Sequence, residues 1–378
     1  MVSLRLTNSL RSLSAMLGII RFLLASCVVA FHLTGKLPFL GQFAVNFFYV
    51  ISGFLITLIL NKTYKFNVIS FSVNRFLRLY PTYFFFLVVG ILIIYLMPNT
   101  INFHPSWSRN HLPLDWLGNA LIFPWAFLSD YAVPNTFGAF TDSYPFFADS
   151  YRFRVITSSW SVAVELVCYF LLWLFIARNL ACTLFSIAAS VAYHIFVYRS
   201  TGEPTMAYFP FLAAILPFSL GSLGYFIYSK VKTMSAIMRA FKRYQWALLS
   251  ASVFLFFANW ELFNISQNGS WHPFHYYLNN IISMLIVISV CDLNPEGRPG
   301  KIARLMGDLS YPVFLCQYFG GYVAWYMVGF NEQNRGWEIF IIGYIVSIAM
   351  SLVCIYLIDE NIRKIRDTVR RKAVTQAP

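Results

Sequence analysis

The chain has 378 residues, of which 58% are hydrophobic, 19% aromatic and only 11% charged, and its net charge is +13. A soluble domain carries about 25% charged residues, so this composition, with a mean hydropathy of +0.62, excludes an ordinary globular protein and points to an integral membrane protein. The apolar runs are long and do not alternate, which excludes the strands of an outer-membrane barrel. In a soluble chain the positive charge would raise nucleic acid as a partner. Here the basic residues cluster in alternate loops, as the positive-inside rule requires, and no nucleic-acid partner is expected.

Apolar runs at 17–34, 43–60, 79–97, 160–177, 180–198, 207–228, 245–260, 276–291, 309–330 and 338–358 predict about ten transmembrane helices. The predicted fold is an all-α polytopic membrane helical bundle. With the N-terminus inside, 21 Lys and Arg residues fall in inside segments and 6 in outside segments. That bias places both termini in the cytoplasm. The organisation expected is one transmembrane domain over 1–358, with an outside segment at 98–159, and a basic cytoplasmic tail over 359–378 resting on anionic lipid. The first span lacks an A-x-A-like cleavage site and is expected to be retained. The six cysteines lie in or beside apolar runs without framework spacing and read as packing residues.

The first run, Leu17 to Thr34, contains Arg21 and His32. Eleven residues make three helical turns with about 20° left over, so both side chains share one stripe, roughly 16 Å apart along the axis. An ionisable group in an apolar span costs roughly 2.5–3.5 kcal/mol on insertion scales and usually faces a protein interior or a wet cavity. In the second run, Ser52-Gly53 permits close backbone approach between helices or a local break. At the start of the third, Arg75 and Arg78 are spaced i, i+3. Guanidiniums so spaced suit a phosphorylated ligand, although positive-inside anchoring explains either one alone.

Residues 98–159 are rich in aromatics, Pro, Asn and Asp and are expected to form a packed cap. Within it, 116–128 is apolar, either interfacial or re-entrant; Pro124, Asp115 and Asp130 argue against a full span. The fourth span opens with Trp160 and places Ser161, Glu165 and Tyr169 on one face. Glu165 is the only acidic residue in the interior of a long apolar run, Glu338 standing at the very start of the last one. Its partner is expected to be His32 or Arg21.

These residues resemble the membrane-bound acyltransferase-3 family, which includes O-acetyltransferases of bacterial surface polysaccharides. The matching features are Arg21-x10-His32, Phe47-Phe48-x-x-Ile51-Ser52-Gly53, Arg75-x-x-Arg78 followed by Tyr80-Pro81, and Trp160-Ser161-x-x-x-Glu165. Gly307-Asp-Leu-Ser310-Tyr311-Pro312 is a weaker match. The chain departs from the family pattern at Asn46, Gln317 and Glu360-Asn361-Ile362, so no catalytic weight falls on the ninth and tenth helices. The chain looks like a stand-alone member.

The resemblance implies an O-acetyltransferase of the bacterial inner membrane. Its donor would be cytoplasmic acetyl-CoA, a co-substrate rather than a bound cofactor. Its acceptor would be a lipid-linked or cell-surface glycan such as lipopolysaccharide O-antigen. His32 is then the expected general base, with Glu165 orienting it; an acetyl-histidine relay is the other route. Arg21, Arg75 and Arg78 would bind the donor, and Ser52, Gly53, Trp160 and Ser161 would position acyl group or acceptor. The rival reading is a transporter or flippase using the same buried charges, against which the missing internal repeat counts. No metal site is expected. His272 and His275 lack a third ligand and read as polar surface residues.

Overall fold

The structure is a computed structural model that describes residues 2–108, 110–130, 133, 150–202, 204–266, 272–291, 293, 297–330 and 335–375. Among them every regular element is helical: α1 (Val2–Thr34), α2 (Leu40–Ile59), α3 (Val68–Leu96), α4 (Thr100–Phe103), α5 (Pro113–Leu121), α6 (Ser159–Leu171), α7 (Leu180–Thr201), α8 (Phe211–Val231), α9 (Ser235–Ile265), α10 (His272–Ser289), α11 (Gly297–Met327), α12 (Trp337–Cys354) and α13 (Glu360–Thr375). Stretches in α1, α2, α3, α6, α7, α8, α9 and α12 are long and apolar enough to cross a membrane. Of the two other runs predicted to span, one falls on α10, a shorter apolar helix, and one on α11, which is long but too polar to meet the same standard. The chain is an all-α polytopic membrane bundle.

The bundle is built around α2. Its span is 83% buried, against 22% for the spans of α9 and α12. It packs between α1, α8 and α10, while α1 packs on α11 and α12. Close approach of α2 and α8 rests on two glycines. A Cβ on Gly53 would stand 2.0 Å from the Phe218 carbonyl oxygen, and one on Gly221 would stand 2.1 Å from that of Val50. No side chain fits there, so the backbones themselves touch.

The segment after α3 folds back into the bundle. Tyr80 donates a hydrogen bond to the Leu121 carbonyl at 2.6 Å, and Tyr83 donates to that of Asn119 at 2.8 Å. Tyr83 lies 13 residues before the end of α3, roughly 20 Å down its axis. The turn Phe123–Ala126 therefore packs against the middle of α3, a depth that fits the re-entrant alternative for 116–128. Irregular backbone survives at such depth only when its polar groups are satisfied. The Asn119 side chain serves three of them: its amide donates to the carbonyls of Asp115 and Phe153, and its oxygen accepts from the Val155 amide.

Two ion pairs pin the same segment. Arg152 meets Asp115 at 3.1 Å and Arg154 meets Asp130 at 3.1 Å, with all four side chains no more than 3% exposed. The two aspartates that argue against a full span are thus the anchors of this turn. Elsewhere, His275 is not a surface residue: it is buried, and its Nδ1 bonds Asn259 Oδ1 at 2.8 Å. The His272 side chain and residues 131–132 and 134–149 of the outside segment lie outside the described residues. The basic tail forms α13, which packs along α3.

Breaking one anchor leaves an uncompensated buried charge. Asp115→Asn is expected to destabilise the protein by about 3–5 kcal/mol, read as a lowered thermal midpoint in detergent. An unchanged midpoint would mean that the Arg152 pair does not hold the turn.

Candidate active site

Two cavities lie along the Arg21–His32 stripe. The first, about 70 Å³, is enclosed by α1, α2, α3, α6 and α11. Arg21, Ser52, Arg78, Ser161, Glu165 and Tyr169 line it, with Ser310, Tyr311 and Phe314 from α11. Ser161, Glu165 and Tyr169 share the face that their spacing predicts. The Ser52 hydroxyl donates to Glu165 Oε1 at 2.5 Å, and Tyr169 donates to the same oxygen. Arg21 Nη2 in turn donates to Ser52 Oγ at 3.4 Å. Ser52 thus links the one guanidinium of α1 in this cavity to the one carboxylate of α6.

Arg75 and Arg78 do not open into the same space. Arg78 faces the first cavity, whereas Arg75 lines a crevice between α3 and α6 with Phe71 and Trp173. Tyr169 borders both spaces. The Arg75 guanidinium lies 6.0 Å from the Phe71 ring centre and 5.9 Å from that of Tyr169. Its Nε is buried without a hydrogen-bond partner.

The second cavity, about 330 Å³, lies toward the other end of α1. His32 lines it with Gln42, His104, Trp160, Tyr318 and Arg335. The Tyr318 hydroxyl and His32 Nδ1 are 2.6 Å apart. For Nε2 to accept a proton, Nδ1 must carry the hydrogen and donate it to Tyr318 Oη. The His104 ring packs edge-on against Tyr318 at 4.8 Å, and its Nδ1 accepts from the Ser106 amide at 3.2 Å. Trp160 packs against Tyr208 and Phe209, giving the wall an aromatic surface. Gly336 donates to the Leu33 carbonyl at 2.8 Å, which holds neighbouring Arg335 over the end of α1.

Val45, Ser161 and Phe314 line both cavities. The two spaces therefore abut, with Arg21 on one side and His32 on the other. A stripe of polar side chains passing from one cavity to an adjoining one suits a reaction with two substrates entering from opposite ends. Among the described residues, no group of three His, Cys, Asp or Glu side chains is placed to hold a metal ion.

The profile of one protein family, described as the acyltransferase domain, matches residues 16–360. The chain belongs to the acyltransferase-3 family. Neither curated proteins nor solved structures gave a match. The match covers nearly the whole bundle, including every residue of both cavities, so this is a membrane acyltransferase.

For this acyltransferase the structure alters one expected pairing. Glu165 does not face His32: its partners are Ser52 and Tyr169 in the first cavity, and the partner of the His32 ring is Tyr318. The cause is depth. Trp160 is level with the second cavity, and Glu165 follows it by five residues, about 7.5 Å further along α6. Gly53 also stands apart, against the Phe218 backbone rather than in either cavity. Tyr318, His104 and Arg335 were not singled out by sequence. They come from a helix given no catalytic weight, from the folded-back segment and from a distant loop, and only tertiary contact joins them.

Burial, with Arg335 and Arg154 adding repulsion, pushes the His104 imidazole down to about 3. His104 is therefore neutral, with its hydrogen on Nε2. The unfolded chain takes up this proton near pH 6.5 and the folded chain does not, so the contribution to stability is complete above pH 6.5 and is lost as pH falls toward 3. On lowering the pH from 7.5 to 5, the wild-type thermal midpoint is expected to fall further than that of His104→Asn. Equal falls would show that His104 is not the neutral group described.

Proposed function

We propose that the protein transfers an acetyl group from acetyl-CoA at the cytoplasmic face to a hydroxyl of a lipid-linked or cell-surface glycan, such as lipopolysaccharide O-antigen, across a bacterial inner membrane. The observation that carries this reading is the adjoining pair of cavities, one bordered by cationic side chains and the other by aromatic rings and a histidine. The bias of 21 basic residues to 6 orients the Arg75–Arg78 end inward. The phosphates of the donor would lie with Arg75, Arg78 and Arg21, since guanidinium forks match phosphate oxygens. The pantetheine arm is comparable with the roughly 16 Å from Arg21 to His32. It would pass Val45, Ser161 and Phe314 and carry the thioester to the second cavity.

In that cavity the acceptor sugar would rest on the aromatic wall formed by Trp160, Tyr208 and Phe209. His32 Nε2 takes the hydroxyl proton as the sugar oxygen attacks the thioester carbon. The new C–O bond forms, the C–S bond breaks, and the imidazolium returns the proton to the departing thiolate. Tyr318 fixes the tautomer and the angle of the ring through Nδ1. Glu165 acts differently from a histidine partner. Together with Ser52 it holds Arg21 in the first cavity, where the guanidinium can meet the donor. A positioning role of this kind lets binding energy align the reacting atoms.

The test is transfer of labelled acetyl from acetyl-CoA to a glycan acceptor by purified protein. His32→Ala is expected to abolish transfer while leaving donor affinity unchanged. Tyr318→Phe is expected to lower kcat about tenfold to a hundredfold, also at unchanged donor affinity. Arg78→Gln is expected to weaken donor binding about tenfold, the loss of one charge-assisted contact. Wild-type transfer by His32→Ala would overturn the base assignment.

A further inference from the structure

We propose that α13 is part of the donor site and that Arg366 binds donor phosphate beside Arg75 and Arg78. This rests on the donor reading above and extends it to the tail, which sequence alone assigns to the membrane surface. The carrying observation is where the helix runs. No proline interrupts residues 354–375, so the chain passes from α12 through the π-helical turn Ile355–Asp359 directly into α13. The turn and α13 both pack on α3, and α13 also contacts the π-helical turn Leu60–Tyr64 that follows α2. Two bonds fix this placement. Thr82 of α3 donates to Asp359 Oδ1 at 2.8 Å, and Arg363 meets Asp308 of α11 at 3.5 Å.

The packing carries Arg366 against the arginine pair. Its guanidinium is close enough to those of Arg78 and Arg75 to be repelled by both. Arg78 stands in the same relation to Arg21. The compensation is incomplete. Glu165 is bonded by Ser52 and Tyr169, Asp308 pairs with Arg363, and Asp359 accepts from Thr82. Asp359 offsets part of the charge on Arg366, and Glu165 offsets part of that on Arg75 and Arg21. Two donors also lack acceptors: Arg75 Nε and Arg366 Nε are both buried without a hydrogen-bond partner. A buried, unpartnered guanidinium nitrogen costs its desolvation unless an acceptor arrives. Repelling guanidiniums held together by helix packing, each with an unused N–H, are matched by phosphate oxygens. Coenzyme A offers three phosphate groups, the diphosphate and the 3′-phosphate.

Anionic lipid presents the same chemistry, so the experiment separates the two sources. Binding of coenzyme A to full-length protein is measured in uncharged detergent without phospholipid, and again in nanodiscs of phosphatidylcholine with or without phosphatidylglycerol. Arg366→Gln is expected to weaken coenzyme A binding about tenfold in every medium, and to flatten the dependence on salt. Arg366→Lys is expected to recover part of the loss, and neither variant to lower the thermal midpoint. If Arg366→Gln binds coenzyme A as wild type does while Arg78→Gln does not, α13 lies outside the donor site and the inference falls alone. If Arg366→Gln loses only its preference for phosphatidylglycerol, the phosphate is a lipid's and the inference is overturned. If wild type binds no coenzyme A in any medium, the donor reading itself fails.

Discussion

Arg21 and Glu165 stand at membrane depth, and the cost of bare charge there shapes what surrounds them. Ser52 lies between them, accepting from the guanidinium and donating to the carboxylate, and Tyr169 completes the carboxylate's shell. That arrangement brings three elements to one point, because Arg21 belongs to α1, Ser52 to α2, and Glu165 and Tyr169 to α6. Arg21 therefore cannot be moved to lipid without stranding Glu165, and the helices must close around a polar centre. The glycine contacts between α2 and α8 serve the same end from the other side, letting α2 sink far enough to present Ser52 inward.

With that centre fixed, the rest of α1 has a set geometry. Three further turns carry the stripe to His32, which emerges in a second and larger cavity. His104, Pro105 and Ser106 supply part of its wall, and the folded-back backbone that follows them must be satisfied internally. Asn119, the Arg152–Asp115 pair and the Arg154–Asp130 pair satisfy it. These internal ion pairs hold the folded-back segment firm within an apolar bundle.

Much of this was legible in the linear chain. The helical period alone places Arg21 and His32 on one stripe and Ser161, Glu165 and Tyr169 on one face, because both are properties of a single helix. Eight of the ten runs coincide with helices long and apolar enough to span, because hydropathy reports the solvent of each segment directly. What a single helix cannot report is depth relative to another. Of the two partners expected for Glu165, the structure links it through Ser52 to Arg21 and not to His32, because the starting level of α6 sets it about 7.5 Å away from the level of Trp160. Tyr318 of α11 and His104 of the folded-back segment were invisible for a related reason. Neither sits in a pattern of its own: Tyr318 meets His32 across 286 residues of chain, and His104 joins them by packing on Tyr318. Gly53 was legible as a site of close approach but not as to which helix approaches.

The two cavities meet at Val45, Ser161 and Phe314, and passage of the acyl group at this junction is the central claim. It is tested most directly by sidedness. The protein is reconstituted in one known orientation in liposomes, with labelled acetyl-CoA confined to one side and glycan acceptor to the other. Label is expected on the acceptor only when the donor faces the end that bears Arg75 and Arg78. Transfer that requires donor and acceptor on the same side would contradict the claim.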